Sequence, residues 1–412
     1  MKVIFILLCS SLFLWSEGLK ELIVYAKEHN HQLKALHYGT MAKEKSLSST
    51  KREYLMPKVV VGGGYRSSSP ASPFQAQDTA TAYGQISIDL YDGGRLSAQI
   101  AQKGSEVEAS KFDESYNRKA LELSIVNNFF NIQNQKALLA SLQEAQRELE
   151  AQIDRIEKFY NAKLVTVDQV DKIKSAYANN EYQIKATKQQ IFALKKELEL
   201  KVNREIGSLH NVSIVEPSSE QLQDSDHILA LNEQSKALLH GASALDSAYR
   251  PQVSLSDNFT LFSYRNKESN PMIEYLDHQN VISLNVNLQL WDNGVIKEQK
   301  QALLVQRQAL SEQIDQAKEE QKIKTAIALA QIATAKSKIE SSQSALEASQ
   351  SVYHMIQQKF EAKIVDNVRY LDALTEKSGA EARHQIALNS LEVAKANYYF
   401  QLGLDLEEYI SE

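Results

Sequence analysis

The stretch ISIDLYDGGRLSAQI, residues 86–100, decides how the rest of the chain is read. Before its glycines, Ile86, Ile88 and Leu90 alternate with Ser87, Asp89 and Tyr91, the period-two pattern of a half-buried strand. After them, from Arg95 to Tyr160, there is no proline and no glycine but Gly104. That tract is rich in Ala, Leu, Gln, Glu and Lys, the strong helix formers. A short strand therefore runs through Asp92-Gly93-Gly94 into one very long helix. The arrangement recurs at Asp292-Asn293-Gly294, 200 positions after the first joint, where a strand again opens a long helical tract. The chain is a duplication of a strand-plus-long-helix unit.

Composition agrees. Six prolines and fourteen glycines among 412 residues leave long uninterrupted tracts, which predict helices well beyond globular length. The net charge of −6 is modest and its signs are interspersed, so there is no basic footprint for nucleic acid. At the N-terminus, Lys2 precedes an apolar run from Val3 to Trp15, then Ser16, Glu17 and Gly18. A charged start and an apolar run of that length read as a secretory signal, assigned to residues 1–17, and not as a spanning helix. Cys9 suggests a lipoprotein, but Leu8 stands where a small residue is wanted, so it reads as a plain signal-peptide cysteine. The mature chain then carries no thiol, and no cysteine-based site or disulfide. No later segment offers eighteen apolar residues in a row, so any membrane span must be made of strands.

Taken in order, Leu19 to about Lys51 reads as a helix with an apolar stripe of Leu22, Ile23, Ala26, Leu33 and Leu36. Pro57 ends it, and Lys58 to Arg66 is a strand loosened by Gly62-Gly63-Gly64. It pairs as a hairpin with the strand ending at Tyr91. In the first long helix Leu138, Leu142, Ala145, Leu149, Ile153 and Ile156 form a coiled-coil seam. At 1.5 Å per residue such a tract is about 100 Å long. A break at Asn161 to Val167 turns the chain into a return helix from Asp168 to about Gly207. After a connector, the scheme restarts with a helix from His227 to Tyr249 and strands Val253–Tyr264 and Val281–Trp291. The last is the cleanest: Ile282, Leu284, Val286, Leu288 and Leu290 share one face, while Ser283, Asn285, Asn287 and Gln289 share the other. A second long helix reaches about Ala362, breaks near Ile364 to Asn367, and returns from Val368 to about Leu404.

Each strand has about ten residues, the length that crosses a bilayer when tilted. A single copy offers four strands, and four cannot close. Open sheet edges are excluded from lipid, where each unpaired backbone group costs several kcal/mol. The chain must therefore share a barrel with further copies. Two copies would nearly fill the interior with side chains; three leave a lumen, and closed cyclic symmetry favours the trimer. Below the barrel, the long helical pairs would pack side by side into a hollow cylinder.

Here the chain resembles the TolC-type outer-membrane factor family, the outer membrane efflux proteins, over nearly its whole mature length. The resemblance rests on the duplicated layout and on YLMPKVVVGGGY and YRPQVSLS leading into the strands. It rests also on LYDGGRLSAQI and LWDNGVIKEQK leaving them, and on the helix-turn tips KFYNAKLVTVDQV and KFEAKIVDNVRYLDAL. It implies an α-helical protein with a membrane β-barrel: a homotrimer whose twelve-stranded barrel continues into a long periplasmic helical tunnel. The domains then read as residues 1–17 signal peptide, 18–210 first repeat, 211–226 equatorial connector, 227–404 second repeat and 405–412 tail. The family narrows its tunnel with acidic residues one turn apart in the second repeat. The matching positions are Arg369 and Asp372, of which only the second is acidic, and their spacing would let the two pair. Asp168 and Asp171 share that spacing in the first repeat. The family's tip turns often carry glycine where Lys163 and Lys363 stand. Those turns, Ala162, Lys163, Leu164 and Val165 with Ala362, Lys363, Ile364 and Val365, are the candidate contacts for a periplasmic adaptor; the alternative is solvated turn residues.

Chemistry is sparse. His29, His31 and His37 do not share one helical face, so they read as ordinary histidines and not as a metal site. Asp89 and Asp92 lack the remaining ligands of a calcium loop, and Asp92 reads better as a helix N-cap. No catalytic constellation, metal or cofactor is expected, and the chain is read as a non-enzyme. The expected function is the outer-membrane exit duct of a tripartite efflux pump, with an inner-membrane transporter and an adaptor as partners and outer-membrane lipid around it. The alternatives are the channel of a type I secretion system and, more remotely, a periplasmic adaptor or coiled-coil tether. The cargo is not written in the sequence.

Overall fold

The computed structural model describes residues 16–54, 56–69, 76–210, 212–218, 222–265 and 274–411. The chain forms two compact units, each taking part of both sequence repeats: Met1–His37, Glu114–His227 and Ala317–Glu412 make one, and Tyr38–Asp113 and Ile228–Gln316 the other. Most of the signal segment expected at residues 1–17, including Cys9, lies outside the described residues, as do Asn211 and the centres of both strand-connecting loops.

The second unit carries a four-stranded antiparallel sheet of β2 (Lys58–Ser67), β3 (Asp78–Tyr91), β6 (Gln252–Arg265) and β7 (His278–Asn287), in spatial order β2-β3-β6-β7. Each repeat contributes one hairpin, and the hairpins join through β3 and β6. The outer edges of β2 and β7 have no neighbour in this sheet. The strand expected over Val281–Trp291 is displaced: it starts at His278 and ends at Asn287. The cause is its partner, for Asn287 pairs with Gln252, the first strand residue after Pro251. Leu288 to Trp291 keep their alternation but pair with no strand among the described residues.

The two long helices, α3 (Arg95–Asn161) and α6 (Val295–Glu361), are each 67 residues long and begin and end 200 positions apart. The return helices are α4 (Val167–Val202) and α7 (Asn367–Gln401). In the first unit the expected seam is realised: Ala145, Leu149 and Ile156 are buried, as are Val170, Ile173 and Leu198 of α4.

The helix expected from Leu19 to Lys51 is two helices, α1 (Leu19–His29) and α2 (His31–Glu53). Asn30 divides them, because its extended backbone leaves the helix and its Oδ1 accepts the N–H groups of Gln32 (2.8 Å) and Leu33 (3.1 Å). An asparagine capping the second helix outcompetes one more helical turn. The expected run to Gly207 also stops early, at Val202, where Asn203 adopts the left-handed conformation at φ 64°. The chain then enters short ladders that periodicity could not reveal. β1 (Ser16–Glu17) pairs in parallel with β4 (Ser208–Leu209), and β5 (Ser213–Ile214) pairs antiparallel with β8 (Ile410–Ser411). α5 (Asp226–Asp246) opens the second repeat.

These ladders lie on the main apolar cluster of the first unit. Leu19, Leu22, Ile23 and Ala26 of α1, Ile125, Val126 and Phe129 of α3, and Leu198 and Val202 of α4 are fully buried there. Tyr399, Leu406 and Ile410 close it from the C-terminal side. Each fully buried Leu or Ile contributes about 1.5–3 kcal/mol, so the cluster anchors both ends of the described chain. An ionic knot is buried beside it: the Glu122 carboxylate, fully shielded, receives Lys27 Nζ at 2.7 Å and the Leu406 N–H at 2.8 Å. Lys27 also reaches Glu407 at 2.7 Å.

Candidate functional site

The register sorts the sheet's side chains into two faces. Paired residues share a face, so Val59, Ile86, Asp257 and Ile282 form one row, flanked by Ile88, Leu255 and Leu284 on one side and by Val61, Gly84, Phe259 and Asn280 on the other. This face is apolar and open: Val61 is 81% exposed, Ile282 70% and Leu284 63%. The one ionisable group in its centre is Asp257, whose Oδ1 is shielded without a hydrogen-bond partner. The opposite face carries Gln85, Ser87, Ser254, Ser256, Asn258, Thr260, Asn285 and Asn287. Its exceptions are Val60, Val281 and the rings of Tyr83, Phe262 and Tyr264. The Tyr83 ring lies across Gly62, where an added Cβ would meet it at 2.6 Å. An exposed apolar face backed by a polar one, with two unpaired edges, is what a barrel wall facing lipid requires.

β3 and β7 lead into α3 and α6 through matched joints. Asp92 Oδ1 accepts the Gly94 N–H at 3.0 Å and its Oδ2 the Leu96 N–H at 2.6 Å. Asp292 repeats both contacts with Gly294 at 3.0 Å and Ile296 at 2.8 Å. The cap read from sequence at Asp92 is therefore formed, Asp292 forms its counterpart, and both satisfy N–H groups that a helix start leaves free. The Ile296 N–H, followed by the Tyr249 hydroxyl at 2.7 Å, holds the Asp292 carboxyl below its ordinary value. The left-handed positions are Gly93 and Gly94 in one joint, Asn293 and Gly294 in the other. Gly93 has no substitute because a Cβ there would stand 2.5 Å from the Ser247 carbonyl oxygen. Asn293 shows that, without such a neighbour, asparagine tolerates the conformation.

The two hairpin tips lie together in the first unit. In each, the turn closes with paired hydrogen bonds: Leu164 N–H to Phe159 O (2.9 Å) with Lys163 N–H to Tyr160 O (2.8 Å), and Ile364 N–H to Lys359 O (2.8 Å) with Lys363 N–H to Phe360 O (3.0 Å). This is the helix-terminating geometry whose left-handed residue is usually glycine. Lys163 at φ 62° and Lys363 at φ 60° occupy it, which explains why glycine suits these positions. Lys363 Nζ sits 4.9 Å above the Phe159 ring, and Arg155 lies 5.5 Å from the rings of both Phe159 and Phe360. A cleft of about 370 Å³ opens between the turns, lined by Leu164, Val165, Ile364, Val365 and Asp366 among others. Leu164 and Ile364 are exposed; Ala162 and Ala362 flank them.

Asp168 and Asp171 of α4 and Arg369 and Asp372 of α7 are all exposed just beyond these turns. The possible Arg369–Asp372 pair does not form; the Arg369 N–H instead donates to the Asp366 carboxylate, the cap of α7, at 3.1 Å. Two exposed side chains gain too little from such a pair to be held in one geometry. Above them is a polar node that the sequence did not reveal. The fully buried Tyr370 hydroxyl lies 3.2 Å from Glu148 Oε2 and 3.3 Å from the Tyr353 hydroxyl. Burial raises the pKa of both phenols, so the pair stays neutral. In sequence, Tyr370 reads as one more apolar position of α7, with no sign of its hydroxyl's partners. The three histidines do not gather: His29 stacks on Tyr25 at 3.9 Å, His37 meets Glu114 at 3.2 Å, and His31 is exposed. Among the described residues no group of metal-ligating side chains comes together, and no helix is long and apolar enough to cross a membrane.

Residues 22–199 match the family model of the outer membrane efflux proteins. Among solved structures, VceC from Vibrio cholerae is 15% identical, with 94% of this chain and 96% of that one covered and a TM-score of 0.80. The Campylobacter jejuni outer membrane channel CmeC is 13% identical over 93% of this chain and 85% of that one, with a TM-score of 0.80. The Neisseria gonorrhoeae outer membrane channel MtrE in its open state is 14% identical over 94% and 89%, with a TM-score of 0.75. At these identities the likeness is one of fold. No curated protein matches the chain.

Proposed function

We propose that the chain is an outer membrane efflux protein, the exit duct of a tripartite efflux pump that carries small molecules from a periplasmic pump and adaptor to the exterior; the family-model match over residues 22–199 supports this reading. It sits in the outer membrane of a Gram-negative bacterium and extends into the periplasm. The observation that carries this reading is the sheet: a single copy holds an exposed apolar face, a polar face and two unpaired edges, and runs straight into two 67-residue helices. Four strands leave both edges open in lipid, so three copies complete a twelve-stranded wall with the polar face inward. The export signal is cleaved near residue 15, before the Ser16–Glu17 ladder, and residues 18–210 and 227–404 are the two repeats, with 211–226 and 405–412 at the equator.

Asp168, Asp171, Arg369 and Asp372 line the constriction at the tunnel tip, where the three-fold axis would gather each charge into a ring. Ala162 to Val165 and Ala362 to Val365 are the surface the adaptor grips, supported by the exposed Leu164 and Ile364 around the tip cleft. The duct performs no catalysis and needs no cofactor. Planar-bilayer conductance tests pore and constriction together. The wild type should give small, flickering currents, and Arg369→Asp should raise conductance and cation preference. If the substitution changes neither, the constriction role is wrong; if no current is ever seen, so is the pore.

A further inference from the structure

The duplication fixes how β7 of one copy should meet β2 of the next. Two offsets relate the hairpins: 194 for the first strands, from Pro57 to Pro251, and 200 for the second, from Asp92 to Asp292. They are tested within the chain, since Lys58↔Ser87 becomes Gln252↔Asn287 and Val61↔Gly84 becomes Leu255↔Leu284, both observed pairs. The junction between the hairpins, β3 against β6, is therefore an internal copy of the junction between neighbouring chains. Its pairs are Ile88↔Leu255, Ser87↔Ser256 and Gln85↔Asn258, with a bulge between Asp89 and Tyr91.

Resting on the shared-barrel reading above, we propose that β7 pairs antiparallel with β2 of a second copy in the register Leu288↔Val61, Asn287↔Gly62, Val286↔Gly63, Asn285↔Gly64 and Leu284↔Tyr65. Gln289 meets Val60, a bulge follows at Leu290, and Trp291 then meets Val59. Two features support this register independently of the offsets used to derive it. A slip by one residue would turn every side chain to the wrong face, yet the derived register sets Leu288 beside Val61 on the apolar face and Asn285 beside Gly64 on the polar one. It also gives partners to Leu288–Trp291, whose alternation continues beyond the end of β7 in the isolated chain.

Disulfide trapping tests it, with Cys9 replaced by serine. Ile88→Cys with Leu255→Cys reports the internal junction and should close within one chain. Its image, Val61→Cys with Leu288→Cys, should convert the monomer band to a covalent trimer on denaturing gels without reductant, and reductant should reverse it. Val61→Cys with Val286→Cys, and Val59→Cys with Leu288→Cys, should leave the monomer band intact. The native mass in detergent separates the two ideas. A trimer in which the off-register pairs close, or the image pair does not, overturns the register alone; a monomer overturns the register and the shared barrel together.

Discussion

Replacing Lys27 by methionine should uncover the cost of the buried Glu122 carboxylate. Glu122 is fully shielded in the first unit, and besides the Leu406 N–H at 2.8 Å its charge is met by Lys27 Nζ at 2.7 Å. Removing one partner of a buried pair costs about 3–5 kcal/mol, because the remaining charge stays desolvated. The second carboxylate on Lys27, Glu407, is half-exposed and loses little. For a unit of this size about 3 kcal/mol lowers the melting temperature by roughly 6–12 °C. The loss should depend on pH. Burial already raises the Glu122 pKa against the lowering pull of Lys27, and without Lys27 it must rise further. A carboxyl whose folded pKa exceeds its unfolded value contributes fully below the ordinary carboxylate range and loses that contribution as pH rises through the folded value. Lys27→Met should therefore approach wild-type stability in acid and fall short at neutral pH. Thermal unfolding followed by far-ultraviolet circular dichroism, at one protomer concentration and across that pH range, measures it. Adding Glu122→Leu should restore most of the loss. A variant as stable as wild type at neutral pH, or one whose deficit ignores pH and the second substitution, would refute the reasoning.

Three further outcomes follow from local geometry. The Asp292 carboxyl is held below its ordinary pKa, chiefly by the Ile296 N–H, so its cap is present above the unfolded value and lost as pH falls through the folded one; hydrogen-exchange protection of the Ile296 amide should decline over that acid window, and Asp292→Asn should flatten the dependence. Gly93→Ala places a Cβ 2.5 Å from the Ser247 oxygen at φ 73°, which should cost at least about 1–2 kcal/mol and reduce assembled protein in detergent, whereas Asn293→Ala should be milder. Asp257 interrupts the apolar face, and Asp257→Leu should stabilise the membrane-inserted sheet by about 1 kcal/mol in denaturant titrations from lipid vesicles, with no gain for a polar-face control such as Asn258→Leu.

What the sequence made legible is whatever repeats with a clear period. Ile86, Ile88 and Leu90 marked a strand, and the proline-free tract after Gly94 marked a helix that indeed reaches Asn161. Asp92 was legible as a cap because its residue type and position state its hydrogen bonds. Short-range competition was not legible. Asn30 could as well have stayed helical, and only its Oδ1 contacts with Gln32 and Leu33 decide otherwise. The ladders of Ser16–Glu17 and Ser213–Ile214 are two residues long, too short for any period, and exist because distant segments meet over the Phe129 cluster. At the tips, the turns are legible, but the Tyr370–Glu148–Tyr353 node is hidden because a tyrosine on an apolar stripe looks like packing alone. The displaced end of β7 is the instructive miss: alternation runs on to Trp291, while pairing inside one chain stops at Asn287.

That miss points at the shared cylinder, and stoichiometry addresses it most directly. Native mass spectrometry of the protein released from detergent micelles should report three copies per particle, with material lost to precipitation once detergent is withdrawn. A single copy that stays dispersed in plain buffer would contradict the account, since its apolar face and both free strand edges would then need neither lipid nor neighbours.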